Sequence, residues 1–272
     1  MSTPIPLTDS AALAAHRTRA QENDLFLHTI AADEIQDRLE SVNRSFTAPA
    51  LVTGAPGFWR TVLPNAHCVA DGETLDLAAN AHDVVIHAMG WHWANDPVGQ
   101  IIQCKRALKS DGVFLAACFG GQTLHELRAC LGQAEIDVTG GLSPRIAPMA
   151  ELRDMGGLLQ RAGLALPVAD VVSLNVTYRD IWHLMRDLRD MGETNALSAR
   201  LRKPTARTLF QKAGDLYRDT FPATDGGITA TFEILFLTGW APDESQPKPL
   251  RPGSAAQRLA DALGTQEKPL SD

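Results

Sequence analysis

The sequence predicts an α/β fold, a mostly parallel sheet with helices on its faces. Three observations lead there. From Ala50 onward, four short apolar runs, "ALVTG", "HCVAD", "DVVIHAM" and "GVFLAACF", alternate with helical stretches. Two helical stretches precede the first run, and a long alternating segment, "GITATFEILFLTGWAP", follows the last helices. The 272 residues, 44% hydrophobic and 21% charged, suffice for one sizeable core with an appendage.

The elements follow in chain order. "LTDSAALAAHRTRAQEND" reads as a helix capped by Asp9 or Ser10. In "LHTIAADEIQDRLESVNRSF", Ile35, Leu39, Val42 and Phe46 recur at helical spacing, so one face lies against the domain. The run at Ala50 is the first strand. About ten residues separate Gly57 from "HCVAD", room for one short crossover helix. After "DVVIHAM", the stretch "DPVGQIIQCKRALKSDG" is a helix with Ile101, Ile102 and Leu108 available to the sheet and a stop at Gly112. "GQTLHELRACLGQAEI" and "MAELRDMGGLLQRAGL" are helices, the second stopped by Ala162-Gly163. "LPVADVVSLNVTY" is a strand, followed by two helices in "RDIWHLMRDLRDMGE" and "TARTLFQKAGDLYRDTF". Two late strands after a parallel set suggest an antiparallel edge, with the C-terminal strand "TATFEILFL" forming it. The domains expected are a helical cap over 1–48, the α/β domain over 49–241 with a helical insertion at about 178–220, and a tail over 242–272 ending in a short helix near "AAQRLADAL".

Composition excludes several classes. A formal net charge of −7 gives no bulk support for a nucleic-acid partner. Cys68, Cys104, Cys118 and Cys130 show no CxxC or CxxH spacing, so neither zinc nor a disulfide framework is expected, and no other side chains form a defensible metal set. No apolar run approaches the ~20 residues of a membrane span, and the start lacks a secretory pattern. A cytoplasmic protein is expected.

Several segments are specific enough to carry a family likeness. "MGWHWANDPVGQIIQCKRALKSDGVFLAACFGGQTLHELR", "GGLSPRIAPMAELRDMGGLLQRAGLALPVAD", "YRDIWHLMRDLRDMGETNAL" and "QPKPLRPGSAAQRLADAL" together resemble the methyltransferase-like family of mitochondrial complex I assembly factor 5 and its bacterial relatives. More distantly the chain is similar to the biotin-pathway methyltransferase that acts on malonyl-acyl carrier protein. The likeness runs from "HRTRA" to "RLADAL" and is weakest at "ALVTGAPGFWR". It implies a Rossmann-like class I methyltransferase fold that binds S-adenosylmethionine at the carboxyl ends of its strands.

Such a site needs a glycine turn after the first strand and an acid after the second. Gly54 and Gly57 supply the turn, but relatives carry an Asp-x-Gly-x-Gly-like sequence where this chain has Thr53-Gly54-Ala55-Pro56-Gly57. Pro56 has no N–H to donate. Asp71 is the candidate acid, and two alignments place it. Matching "ADGETLDLAANAHDVVIHAM" to the family without a gap puts Asp71 at the adenine edge and removes the second strand. Spacing alone, about 17 residues beyond Gly54, makes Asp71 the ribose acid and removes the third. Either way the sheet is one βα unit short, six strands rather than seven.

The remaining candidates cluster after the third strand. His92, able to move protons near neutral pH, is the candidate catalytic residue. His92, Trp93, Asn95, Asp96 and Arg145 are candidates for substrate or partner recognition, expected on an exposed surface. Packing and capping are the competing roles, Asp96 as helix N-cap and the tryptophans in the core. Arg186, Arg189, Arg200, Arg202, Lys203 and Arg207, with His16, Arg17 and Arg19, form basic patches that read either as docking surface or as solvated helix faces. The resemblance implies a protein partner, a subunit of NADH-quinone oxidoreductase (complex I), assembled or modified by a chain with a degenerate S-adenosylmethionine site. Two alternatives stay open: an active methyltransferase of a small acid or protein, and a non-enzymatic scaffold.

Overall fold

The computed structural model of the chain describes residues 6–21, 25–224, 226–247 and 264–265. Met1–Pro242 form one compact unit and Asp243–Asp272 a second. The helix expected at "AAQRLADAL" lies outside the described residues. Among those described, no helix is long and apolar enough to cross a membrane.

The apolar runs become β1 (Pro49–Thr53), β2 (His67–Val69), β3 (His82–Ala88) and β4 (Leu108–Phe119), with β5 (Ala165–Tyr178) and β6 (Ile228–Trp240) completing the sheet. The sheet has six strands, as expected, in the order β2-β1-β3-β4-β6-β5. β1 pairs in parallel with β2 and β3, and β3 with β4. β6 is antiparallel to both of its neighbours, β4 and β5.

One placement differs from the sequence reading. The C-terminal strand is antiparallel, but it is not the edge; β5 is. The physical reason lies in side-chain patterning. Phe232, Ile234, Leu235, Phe236 and Leu237 bury both faces of β6, so it needs a neighbour on each side. β5 alternates half-buried with exposed residues and tolerates the open flank.

The described residues form eight helices around this sheet: α1 (Ser10–Arg17), α2 (Phe26–Ser41), α3 (Pro56–Val62), α4 (Pro97–Ala107), α5 (His125–Thr139), α6 (Leu152–Arg161), α7 (Ile181–Asp190) and α8 (Arg207–Thr220). Strand alternation divides the core in two. Leu51, Val84, Ile86, Leu115 and Phe232 face α2, α5, α7 and α8. Ala50, Val52, Val85 and Phe114 face Ile101 and Cys104 of α4 and Met155 and Leu159 of α6. Ile35 buries the middle of α2, and Leu39, Val42 and Phe46 pack partly buried against the same core, although the helix stops at Ser41. In α4 the expected apolar face is shorter than predicted. Ile101 is buried, Ile102 is exposed, and the helix ends at Ala107 because Leu108 already adopts extended backbone as the first residue of β4. Gly112 therefore lies inside a strand, next to Asp111 at a φ of 56°, where β3 and β4 shift register.

Candidate functional site

The carboxyl ends of β1, β2 and β3 converge on a cleft of about 490 Å³ lined by Gly54, Asp71, Trp93, Asn95 and Gln100, with α1 across it through Leu13 and Arg17. Its floor is the turn after β1. The Thr53 hydroxyl donates to the Ala88 carbonyl at 3.2 Å while accepting the Ala55 N–H at 3.1 Å. The turn is therefore satisfied internally. Gly57 belongs to the first turn of α3, behind Pro56, rather than to the loop itself.

β2 hydrogen-bonds directly to β1, so Asp71, just beyond β2, stands one strand from the glycine turn, where nucleotide folds place a ribose acid. Gln100 fixes this loop by donating to the carbonyls of Asp71 (3.1 Å) and Gly72 (2.8 Å), and its own oxygen lies 2.9 Å from His87 Nε2. Both Asp71 oxygens accept from Arg17, Nη1 at 2.7 Å and Nη2 at 2.9 Å. Burial pushes the Asp71 carboxyl up, but the Arg17 charge and hydrogen bonds outweigh it and hold the group below its ordinary range. The same guanidinium lies on Gly54, where an added methyl would sit 2.1 Å from its central carbon. A ribose approaching Asp71 over Gly54 meets Arg17 first.

The tryptophan run sits on a 3₁₀ turn, Trp91–Trp93, directly after β3. Its residues were expected to be exposed, and they are not. The His92 side chain is 1% exposed, with Nε2 3.1 Å from Glu193 Oε2, and the Trp93 indole donates to the same oxygen at 2.7 Å. Asn95 accepts the Thr8 N–H at 2.8 Å and donates to the Thr8 carbonyl, pinning the segment before α1. Asp96 is the N-cap of α4, accepting the Gly99 N–H at 2.8 Å. The acceptor shared by His92 and Trp93 lies on a distant segment, which is why this run reads as a surface in sequence and packs as core.

Trp93 also separates the cleft from a second cavity of about 250 Å³, lined mainly by Leu127, Leu131, Met149, Leu188, Phe210 and Phe232. Its polar lining includes Arg145, Arg189, Glu193 and Asn195. Gly54, Asp71, Trp93 and Asn95 thus share one cavity, and Trp93 and Arg145 share the other. His92, Asp96 and Gly57 line neither. Glu193 is the residue that sequence reasoning missed. Burial pushes its carboxyl up, but His92, Arg17 and the Trp93 N–H outweigh this and hold it below the usual range. Only its place in the quoted "MGETN" pointed to it.

Arg145 is held by Glu135, which accepts from its Nε at 3.0 Å and Nη2 at 2.7 Å, and by Thr205 at 3.1 Å. The Arg145 hydrogen bonds draw the Glu135 carboxyl down from 4.5 to about 2, with Ser143 adding to the effect against the opposing pull of burial. A carboxyl lowered on folding stabilises above its unfolded pKa, and that contribution disappears as pH falls through the folded one. The melting-temperature gap between wild type and Glu135→Gln is therefore expected to be full above pH 5 and to close between about 4.5 and 2. A gap independent of pH would refute the pairing. Elsewhere the basic patches are partly engaged: Arg200 and Arg202 both pair with Asp9, and Arg207 lies 5.8 Å from the centre of the Trp182 ring. Burial pushes the Cys104 and Cys118 thiols up to about 12, so neither serves as a thiolate nucleophile. No three His, Cys, Asp or Glu side chains among the described residues are placed to share a metal ion.

The methyltransferase domain family matches residues 57–116. The mitochondrial arginine-hydroxylase NDUFAF5 of Danio rerio is 40% identical over 197 residues, 72% of this chain and 61% of that protein. The malonyl-[acyl-carrier protein] O-methyltransferase of Methylovorus sp. (strain MP688) is 33% identical over 233 residues, 86% of this chain and 71% of that enzyme. The chain belongs to the same methyltransferase-like family as that O-methyltransferase. As a member of that family, it spans less than two thirds of the length of its Danio rerio relative. Among solved structures, phosphoethanolamine N-methyltransferase 2 of Haemonchus contortus in complex with S-adenosyl-L-methionine is similar at a TM-score of 0.41 and 13% identity, over 78% of this methyltransferase-like chain and 53% of that one.

Proposed function

We propose that this chain acts from the cytoplasm on a protein, a subunit of NADH-quinone oxidoreductase, in its assembly or modification, and that its S-adenosylmethionine site is degenerate. The reading rests on Glu193, a buried anionic carboxylate at the wall between two cavities and at the end of a mostly apolar pocket. An apolar passage ending on a carboxylate suits a long side chain with a cationic head, and a guanidinium matches a carboxylate best. The Danio rerio relative is an arginine-hydroxylase, which supports an arginine of the partner as that group. Arg145 does not oppose it, because Glu135 already neutralises it. The depleted nucleoside anchors, with no acid in the turn after β1 and Asp71 engaged by Arg17, support the degenerate site.

The test is complementation of a deletion strain, reading assembled NADH-quinone oxidoreductase in membranes and the mass of its subunits. Deletion is expected to lower assembly, and Glu193→Gln to restore it poorly. Normal assembly in the deletion strain sinks the partner assignment. Full rescue by Glu193→Gln removes the acceptor role of the pocket and leaves the scaffold reading. The family match over residues 57–116 favours a second reading, an active S-adenosylmethionine-dependent methyltransferase. Under the first reading S-adenosylmethionine binds wild type more weakly than ~100 µM. Sub-micromolar binding favours the second.

A further inference from the structure

α1 is held by little apolar surface. It buries a single side chain, Leu13, whereas α2 buries five. Ala12 packs partly buried beside Leu13, and the polar attachments lie at the two ends of α1: Thr8 with Asn95, the Asp9 N–H on the Ala196 carbonyl at 2.8 Å, Asp9 with Arg200, and the Gln21 N–H on the Asp190 carbonyl at 2.6 Å. A helix held this way detaches at far smaller cost than one held by an apolar face. At its C-terminal end it carries Arg17, whose backbone Cα packs on Gly192, a glycine at a φ of +80°.

Arg17 occupies ligand space in two independent ways. Both oxygens of Asp71, a side chain only 8% exposed, are bridged by its two terminal nitrogens. Its guanidinium also fills the volume above Gly54, with three of its atoms within 2.5 Å of where a side-chain carbon would begin. Close backbone approach is what a glycine at this turn offers a nucleoside. Here that approach is taken by a residue of the chain itself.

We propose that α1 is a latch on the cleft. Arg17 stands in for the ribose of a nucleoside-bearing ligand, and such a ligand reaches Asp71 only when α1 swings out. The cleft is thereby closed in the resting chain and opened by whatever draws α1 away. This goes beyond the acceptor reading of the Glu193 pocket and does not depend on it.

The experiment is calorimetric titration of the full chain with S-adenosylhomocysteine. Arg17→Gln is expected to bind roughly tenfold or more tighter than wild type, because the ligand no longer displaces a charge-assisted pair. Adding Asp71→Asn to Arg17→Gln should cancel the gain. In wild type at high ligand concentration, amides of Ser10–Arg17 should exchange with solvent faster than without ligand. If Arg17→Gln does not fold, Arg17→Lys replaces it, since an ammonium keeps the charge but does not bridge both oxygens in a fork, and tighter binding is again expected. Equal affinities, no binding by any variant, or slower exchange of α1 on binding would overturn the latch. Complex assembly is not read here, so failure of the latch leaves the acceptor reading standing, and the reverse also holds.

Discussion

Trp59→Ala is expected to destabilise the chain by about 3–5 kcal/mol, read as a lower urea midpoint with an unchanged slope. Trp59 is fully buried and is the only buried residue of the seven-residue α3. Its ring meets Phe58 edge-on at 5.5 Å, and its indole donates to His28 Nδ1 at 2.9 Å. Indole nitrogen is a donor only, so Nδ1 must carry no proton. This agrees with His28, whose pKa burial drives down to about 4. Alanine leaves both a cavity and an orphaned buried acceptor. Trp59→Phe keeps most of the volume and loses the donor, so about 1–2 kcal/mol is expected for it. A loss under about 1 kcal/mol for Trp59→Ala would mean that α3 is anchored by something else.

Glu193→Ala is expected to cost about 3–5 kcal/mol, because it strips one acceptor from two buried donors at once. His92 and Trp93 both converge on Glu193 Oε2. Chemical denaturation of Glu193→Ala, Trp93→Phe and the double variant forms a cycle. The double loss should fall well short of the sum, since each single change already breaks the shared contact. Strict additivity would show that the three groups do not act as a unit.

The reach of the sequence ends where pairing becomes non-local. Strands and helices were legible because period-two and period-3.6 patterns are written within a few residues, and the short interval between Gly57 and Asp71 revealed the missing βα unit. Caps at Asp9 and Asp96 were legible for the same reason. The site was legible only in part. Gly54, Asp71, Trp93 and Asn95 do come together, but Arg17 and Asp71 are 54 positions apart and Trp93 and Glu193 are 100 apart. No local rule pairs a charge on a helix face with an acid behind a distant strand. Arg17 therefore read as one solvated cation among several, and His92 and Trp93 as surface groups, because the acceptor that buries them lies on another segment. The place of β6 was missed likewise, since strand order depends on which faces need cover.

That place has a consequence for how the chain is made. β6 leaves the ribosome after the other five strands of the sheet, yet it is the one that joins β5 to the rest. Until Ile228–Trp240 has been synthesised, β4 lacks its outer neighbour and β5 has none, so two apolar edges stay unpaired together. The four parallel strands can assemble as the chain emerges, but the sheet closes only by insertion of its C-terminal segment between two elements already made. A nascent chain stalled before Ile228 carries both open edges, the arrangement most prone to pair with another copy of itself.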